Sequence, residues 1–262
     1  MPSFQGNPLA NFYKRIMQIN QTSNTGVDAT TRNIQTGDGT NTALSLSDDQ
    51  VMVKPQTDNT TSALAVANQG GSNILEVDTT NSLVKAGASL VNVNTMHKSM
   101  GLYEFSPAGA GYHNPLIANR VGMQGAEALT SDTDWGTSTD PPTTLDVSGL
   151  TDPENAIAIY WNIHHNITID SVHYHIVADG SVTCNMHIMS YTLDNDTNYG
   201  DLSAGAVCAS GSVSAISTGT KQGTLSLDSA NVDNGKVLIG FCENSTNAND
   251  FSIILDIYYH IR

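Results

Sequence analysis

The sequence predicts an all-β fold: a thin trimeric β-stalk followed by a C-terminal β-sandwich head of jelly-roll type, with one short helix at the N-terminus. Three observations carry this expectation. Thr, Ser and Asn supply 78 of the 262 residues, while charged residues make up only 13%. A long-helix protein would instead be rich in Ala, Leu, Glu, Lys and Arg. Apolar residues alternate with polar ones in short runs, which is the period of a half-buried strand. Turn-forming clusters of Gly, Asn, Asp and Ser separate those runs at short intervals.

Residues 1–40 read as an N-terminal attachment segment. Asn7 and Pro8 are suited to cap and open a helix, and Leu9, Phe12, Ile16 and Ile19 recur at helical spacing. Phe12, Lys14, Arg15 and Ile16 are the candidate docking residues of that helix. Residues 21–40 are polar and read as an extended connector.

Residues 41–95 carry thin alternating pairs: Leu44/Leu46, Val51/Val53, Leu64/Val66, Leu75/Val77 and Val91/Val93. Strands with two or three inward residues cannot enclose a core from one chain. Association of three chains would supply it, so this segment reads as an intertwined β-stalk.

Residues 96–155 are rich in Pro and Gly and read as loops, with one possible strand at 119–129. Residues 156–262 carry the head. Strands are expected at about 156–163, 167–177, 181–193, 206–216, 223–228, 236–243 and 251–261. In the last, Phe251, Ile253, Leu255, Ile257, Tyr259 and Ile261 share one face. A strand so regular should lie inside a sheet.

Charge narrows the functional classes. The net charge is −15, and no Lys or Arg lies between Arg120 and Lys221, an interval with 12 carboxylates. A protein that tracks nucleic-acid phosphates needs the opposite balance, so no nucleic-acid partner is expected. No apolar run approaches the length of a membrane span, and no secretory signal is visible at the start. Cys184, Cys208 and Cys242 are odd in number and form no C-x-x-C pair, so buried thiols are expected.

Two patterns could hold a metal. His173 and His175 sit two apart on an expected strand and so point to one face. In a trimer, three such pairs could surround a cation. Asp194 and Asp196 open a stretch to Asp201 with ligands at alternate positions, but its Gly and its last ligand depart from the calcium-loop pattern. A hairpin turn is the simpler reading of that stretch, and ordinary polar-face residues the simpler reading of the histidines. No cofactor is expected. No zinc, P-loop or G-x-S-x-G motif occurs, and Cys184 and His187 face opposite ways on one strand, so no enzymatic activity is expected.

The segments RNIQTGDGTNTALSLSDDQVMVKP and NTTSALAVANQGGSNILEVDTTNSLVKAGA resemble the stalks of bacteriophage fibre proteins of the marine-phage type. The element Ile74–Asn81 is the most specific part, and the resemblance covers about residues 10–90. It implies a homotrimeric virion appendage, assembled in the host cytoplasm. Its N-terminus would dock on capsid or tail proteins and its head would meet a host-surface glycan or protein. Trp135, Tyr103, Tyr112 and Tyr199, placed in expected loops, are the candidate receptor contacts, since aromatics are enriched at binding sites. A capsid decoration protein and a glycan-degrading tail spike are the alternative readings. Head and tail fibres share this texture, so the location on the particle stays open.

Overall fold

The computed structural model describes residues 16–21, 26–105, 111–119, 135–150, 153–194, 199–216, 219–244 and 249–262. The chain divides into two compact units, Met1–Asn94 and Thr95–Arg262. The fold is all-β, and its sheets are antiparallel throughout. No helix among the described residues is long and apolar enough to cross a membrane.

The first unit holds two four-stranded meanders. One runs β1 (Met17–Ile19), β2 (Arg32–Thr36), β3 (Asn41–Leu46) and β4 (Val51–Val53). The other runs β5 (Leu64–Ala67), β6 (Asn73–Asp78), β7 (Leu83–Ala86) and β8 (Val91–Asn92). Two expectations are corrected here. The stretch read as a connector contains β2, and the end of the expected helix is β1, with Ile19 paired to Ile34. Pairing with β2 satisfies the backbone of 17–19 in extended form, which outweighs a helical periodicity too short to be stable alone. Phe12, Lys14 and Arg15 lie outside the described residues, and Ile16 is exposed.

The expected strand pairs 44/46, 51/53, 64/66 and 75/77 all fall in strands, and the β6–β7 turn explains the Ile74–Asn81 element. The buried Asp78 carboxylate accepts from the backbone amides of Thr80 and Asn81 through Oδ1. Its Oδ2 accepts from Asn81 Nδ2 at 2.9 Å and from Lys85 Nζ at 3.0 Å. These bonds, Asn81's first, hold the acid down to a pKa of about 2. A short polar side chain that bonds the backbone two and three residues on is a turn-making device.

The second unit is a sandwich of two sheets. One has the order β9 (Met96–Phe105), β19 (Phe251–Ile261), β12 (Ile167–Ala178), β15 (Gly219–Thr224). The other has the order β10 (His113–Pro115), β18 (Lys236–Asn244), β13 (Val182–Leu193), β14 (Leu202–Ile216), β16 (Ser226–Leu227). Two short strands flank these, β11 (Trp161–Asn162) on β18 and β17 (Asn231–Val232) on β12. Strands taken alternately from the start and end of the unit make this the jelly-roll order. The last strand lies inside its sheet, between β9 and β12, as its regular alternation implies.

Between the sheets, Val172 and Ile176 of β12 and Ile253, Leu255 and Ile257 of β19 meet Cys184, Met186 and Ile188 of β13. Two further expectations are corrected. The stretch from residue 96, read as loops, opens with β9, the sheet's edge strand. Its inward residues are Met100 and Leu102, while Lys98 turns its ammonium to the Ala118 carbonyl at 2.7 Å, so the apolar alternation is broken. Residues 153–158, partly read as strand, form a 3-10 turn.

That turn belongs to a third layer. The segment from Trp135 to Tyr160 packs a second core on the outer side of the β10–β16 sheet. Trp135, Val147 and Ile159 lie there against Met189, Tyr191, Val237, Ile239 and Phe241. The strap is pinned by Val147 N to Asp201 Oδ1 at 3.0 Å, Tyr191 Oη to the Pro142 carbonyl at 2.8 Å and Gly205 N to the Thr143 carbonyl at 2.8 Å. Both faces of β18 are thereby covered, so Val237–Cys242 is buried without alternation.

Candidate functional site

The outer face of the β9–β19–β12–β15 sheet holds the chain's histidine-rich surface. Side chains alternate across a strand, so residues two apart share a face. Register then aligns them in rows. One row runs Ser99, Asp256, His173, Thr224, and the next runs Gly101, Ile254, His175, Gln222. A third pairs His97 with Tyr258 and Tyr258 with Ser171.

A cleft of about 500 Å³ opens over this face, lined among others by His173, His175, Gln222, Thr224, Asp256 and Tyr258. Asp256 is braced from one side. Its Oδ1 accepts from Ser99 Oγ at 2.6 Å and lies 3.0 Å from His97 Nε2. The Tyr258 ring is half-exposed, stacked on His97 at 5.0 Å and met edge-on by His173 at 5.4 Å. His173 Nε2 lies 3.2 Å from Ser171 Oγ, and His175 Nε2 lies 2.7 Å from Thr220 Oγ1.

His173 and His175 thus share a face, as their spacing requires, and the Nε2 of each lies against a hydroxyl. Among the described residues no group of three or more His, Cys, Asp or Glu is placed to hold a metal ion. Of the acidic stretch, residues 194 and 199–201 are described. Asp194 is exposed at the end of β13, where its amide donates to the Asp201 carbonyl at 2.9 Å and closes the β13–β14 turn. The Asp201 carboxylate is used to anchor the strap, and Asp196 lies outside the described residues.

The four aromatics expected to touch a receptor are scattered. Trp135 is a correction: it is 0% exposed and packs on Phe241 at 5.3 Å, because the strap turns it inward onto an apolar sheet face. Tyr112 is half-buried beside β10. Tyr199 is exposed at the β13–β14 turn, with a positive φ of 61°. Tyr103 lies on β9 rather than in a loop, and its side chain is outside the described residues.

His97, Gln222, Thr224, Asp256 and Tyr258 were not singled out from the sequence. A signal existed for two of them. If Phe251, Ile253, Leu255 and Ile257 face inward, then Asp256 and Tyr258 must face out.

A second polar cleft of about 490 Å³ lies at the strap, lined among others by Ser138, Asp140, Asn185, His187 and Glu243. Beside it two buried imidazoles meet edge-to-face at 5.6 Å. His113 Nε2 donates to the Ser138 carbonyl at 2.7 Å, and His187 Nε2 lies 3.5 Å from Asp140 Oδ1. Burial, then the adjacent His113, holds the His187 imidazole below its ordinary pKa. The three thiols are free and buried. Cys184 is pushed up to about 12, by burial first and the Glu243 charge second, which removes thiolate reactivity. It lies in the inter-sheet core while His187 faces the strap, so the two form no dyad.

No family model matches the sequence, and no curated protein matches it. Among solved structures, the chain is similar to one from the structure of deformed wing virus, a honeybee pathogen. The identity is 12% over all of this chain and 58% of that one, with a TM-score of 0.26. The chain therefore spans little more than half of that protein's length. A likeness this distant assigns neither fold nor function.

Proposed function

We propose that this chain is a non-enzymatic structural protein of a virus particle, a homotrimeric fibre or spike whose jelly-roll head meets the host surface. One observation carries the self-association. Among the described residues of the first unit no apolar side chain is buried. Register gathers its apolar residues in rows, Val66–Leu75–Ala86–Val91 and Leu64–Val77–Val84. Val91 is 61% exposed and Val51 70%. A sheet with one apolar face is stable only when that face is covered. Other copies of the chain, which carry the same rows, are the natural cover. The number three and the virion setting come from the resemblance of residues 10–90 to phage stalks.

The test is the solution mass of the purified protein by light scattering. A mass near three times 27.8 kDa is expected. Val66→Asp with Val91→Asp should lower it to one chain, since each puts a charge into the covered face. A monodisperse monomer for the native sequence removes the physical reason for the fibre reading. The host-facing role has its own readout: pre-incubating host cells with the protein should lower adsorption of particles that carry it.

A further inference from the structure

We propose that the cleft on the outer face of the β9–β19–β12–β15 sheet binds a neutral saccharide, with Asp256 and Tyr258 as its principal contacts. This deepens the reading of the head as the host-facing unit and rests on it for its biological setting, though not for the chemistry. No lysine or arginine lines the cleft, and the Asp256 carboxylate is part of its lining. Phosphate, sulfate and other anions are therefore disfavoured, the more so on a chain of net charge −15. The lining of imidazoles, amide, hydroxyl and carboxylate is too polar for an apolar ligand. Its volume of about 500 Å³ suits a small oligosaccharide.

The carboxylate is prepared for a hydroxylated ligand. Ser99 and His97 both engage Oδ1, and among the described residues no partner engages Oδ2. The brace fixes the side chain, which leaves an acceptor of set direction for a ligand hydroxyl. Tyr258 lies two residues along the same strand face, half-exposed and held by His97 and His173. A fixed aromatic ring beside a fixed acceptor matches a pyranose, which presents a C–H face and a hydroxyl edge. Gln222 and Thr224 across β12 supply amide and hydroxyl groups that both donate and accept.

The experiment is a printed array of neutral, sialylated and sulfated glycans probed with the full-length protein, then titration of the best neutral glycan into the native, Tyr258→Ala and Asp256→Asn proteins. Both substitutions are at the surface, and an unchanged melting temperature verifies the fold. Expected is retention of neutral glycans, with affinity falling roughly tenfold or more in each variant. An array without binding, binding confined to acidic glycans, or affinity unchanged in either variant overturns the proposal. The adsorption assay separates the two readings. Blocked adsorption with an empty array sinks the saccharide site alone, whereas saccharide binding without any effect on adsorption leaves the site standing and removes the host-facing role.

Discussion

Replacing Trp135 by Ala removes the largest fully buried side chain of the head and opens the second core between strap and sheet. The indole packs on Phe241 at 5.3 Å and is 0% exposed, so the vacated space is lined by β18 and the strap rather than by solvent. Large-to-small changes of this kind cost about 3–5 kcal/mol. For a unit the length of Thr95–Arg262, each kcal/mol corresponds to roughly 2–4 °C, so the melting temperature should fall by roughly 6–20 °C. The assay is thermal unfolding followed by near-ultraviolet circular dichroism, which reports the aromatic core. Well below the new midpoint, adsorption should be unaffected. A melting temperature within 2 °C or so of the native value, together with lost adsorption, would mean that Trp135 is a surface contact and that the strap does not pack as described.

Asp78→Ala deletes four hydrogen bonds at the β6–β7 turn and should cost about 2–3 kcal/mol in urea unfolding. Asp78→Asn retains an acceptor for the turn amides and should cost about half as much; equal losses would show that the turn amides are not what the side chain serves. Acid should weaken the head through His187. Its folded pKa is lowered, so below a pH of about 6.5 the unfolded chain takes up a proton that the folded one resists, and stability is lost as pH falls. Stability, followed by melting temperature, should therefore drop between pH 7.5 and 5, with the unfolding free energy falling by no more than about 1.4 kcal/mol per pH unit for one proton. His187→Gln should flatten that slope, and an unchanged slope assigns the acid sensitivity elsewhere. Gly101→Ala would place a Cβ 2.6 Å from the Ile253 carbonyl oxygen. The β9–β19 ladder must then part, at about 1–3 kcal/mol, which a melting curve reads directly.

Most of the head's long strands are visible in the sequence because each buries one face. Strands β12, β13 and β19 carry runs of alternating apolar and polar residues, and their expected bounds lie within a residue or so of those observed. The thin pairs of the first unit are legible because apolar and polar residues alternate there too, and so is their lack of a core, since two or three apolar residues per strand cannot make one. Strand β9 escaped because Lys98 interrupts its inward pattern, and the strap because irregular backbone has no period. The unalternating run Val237–Cys242 was a signal for cover on both faces, which is what the strap provides.

Composition and local periodicity thus determined the all-β fold class and the shared face of His173 and His175. The tertiary structure alone decided the jelly-roll order, the burial of Trp135 and the company the histidines keep. The cleft draws on residues 173–175, 222–224, 256 and 258, with its brace at 97 and 99, brought side by side by register between strands far apart in the chain. Alternation is a property of neighbours in sequence, whereas a row across a sheet depends on which strands pair and in what register, and no local pattern encodes that.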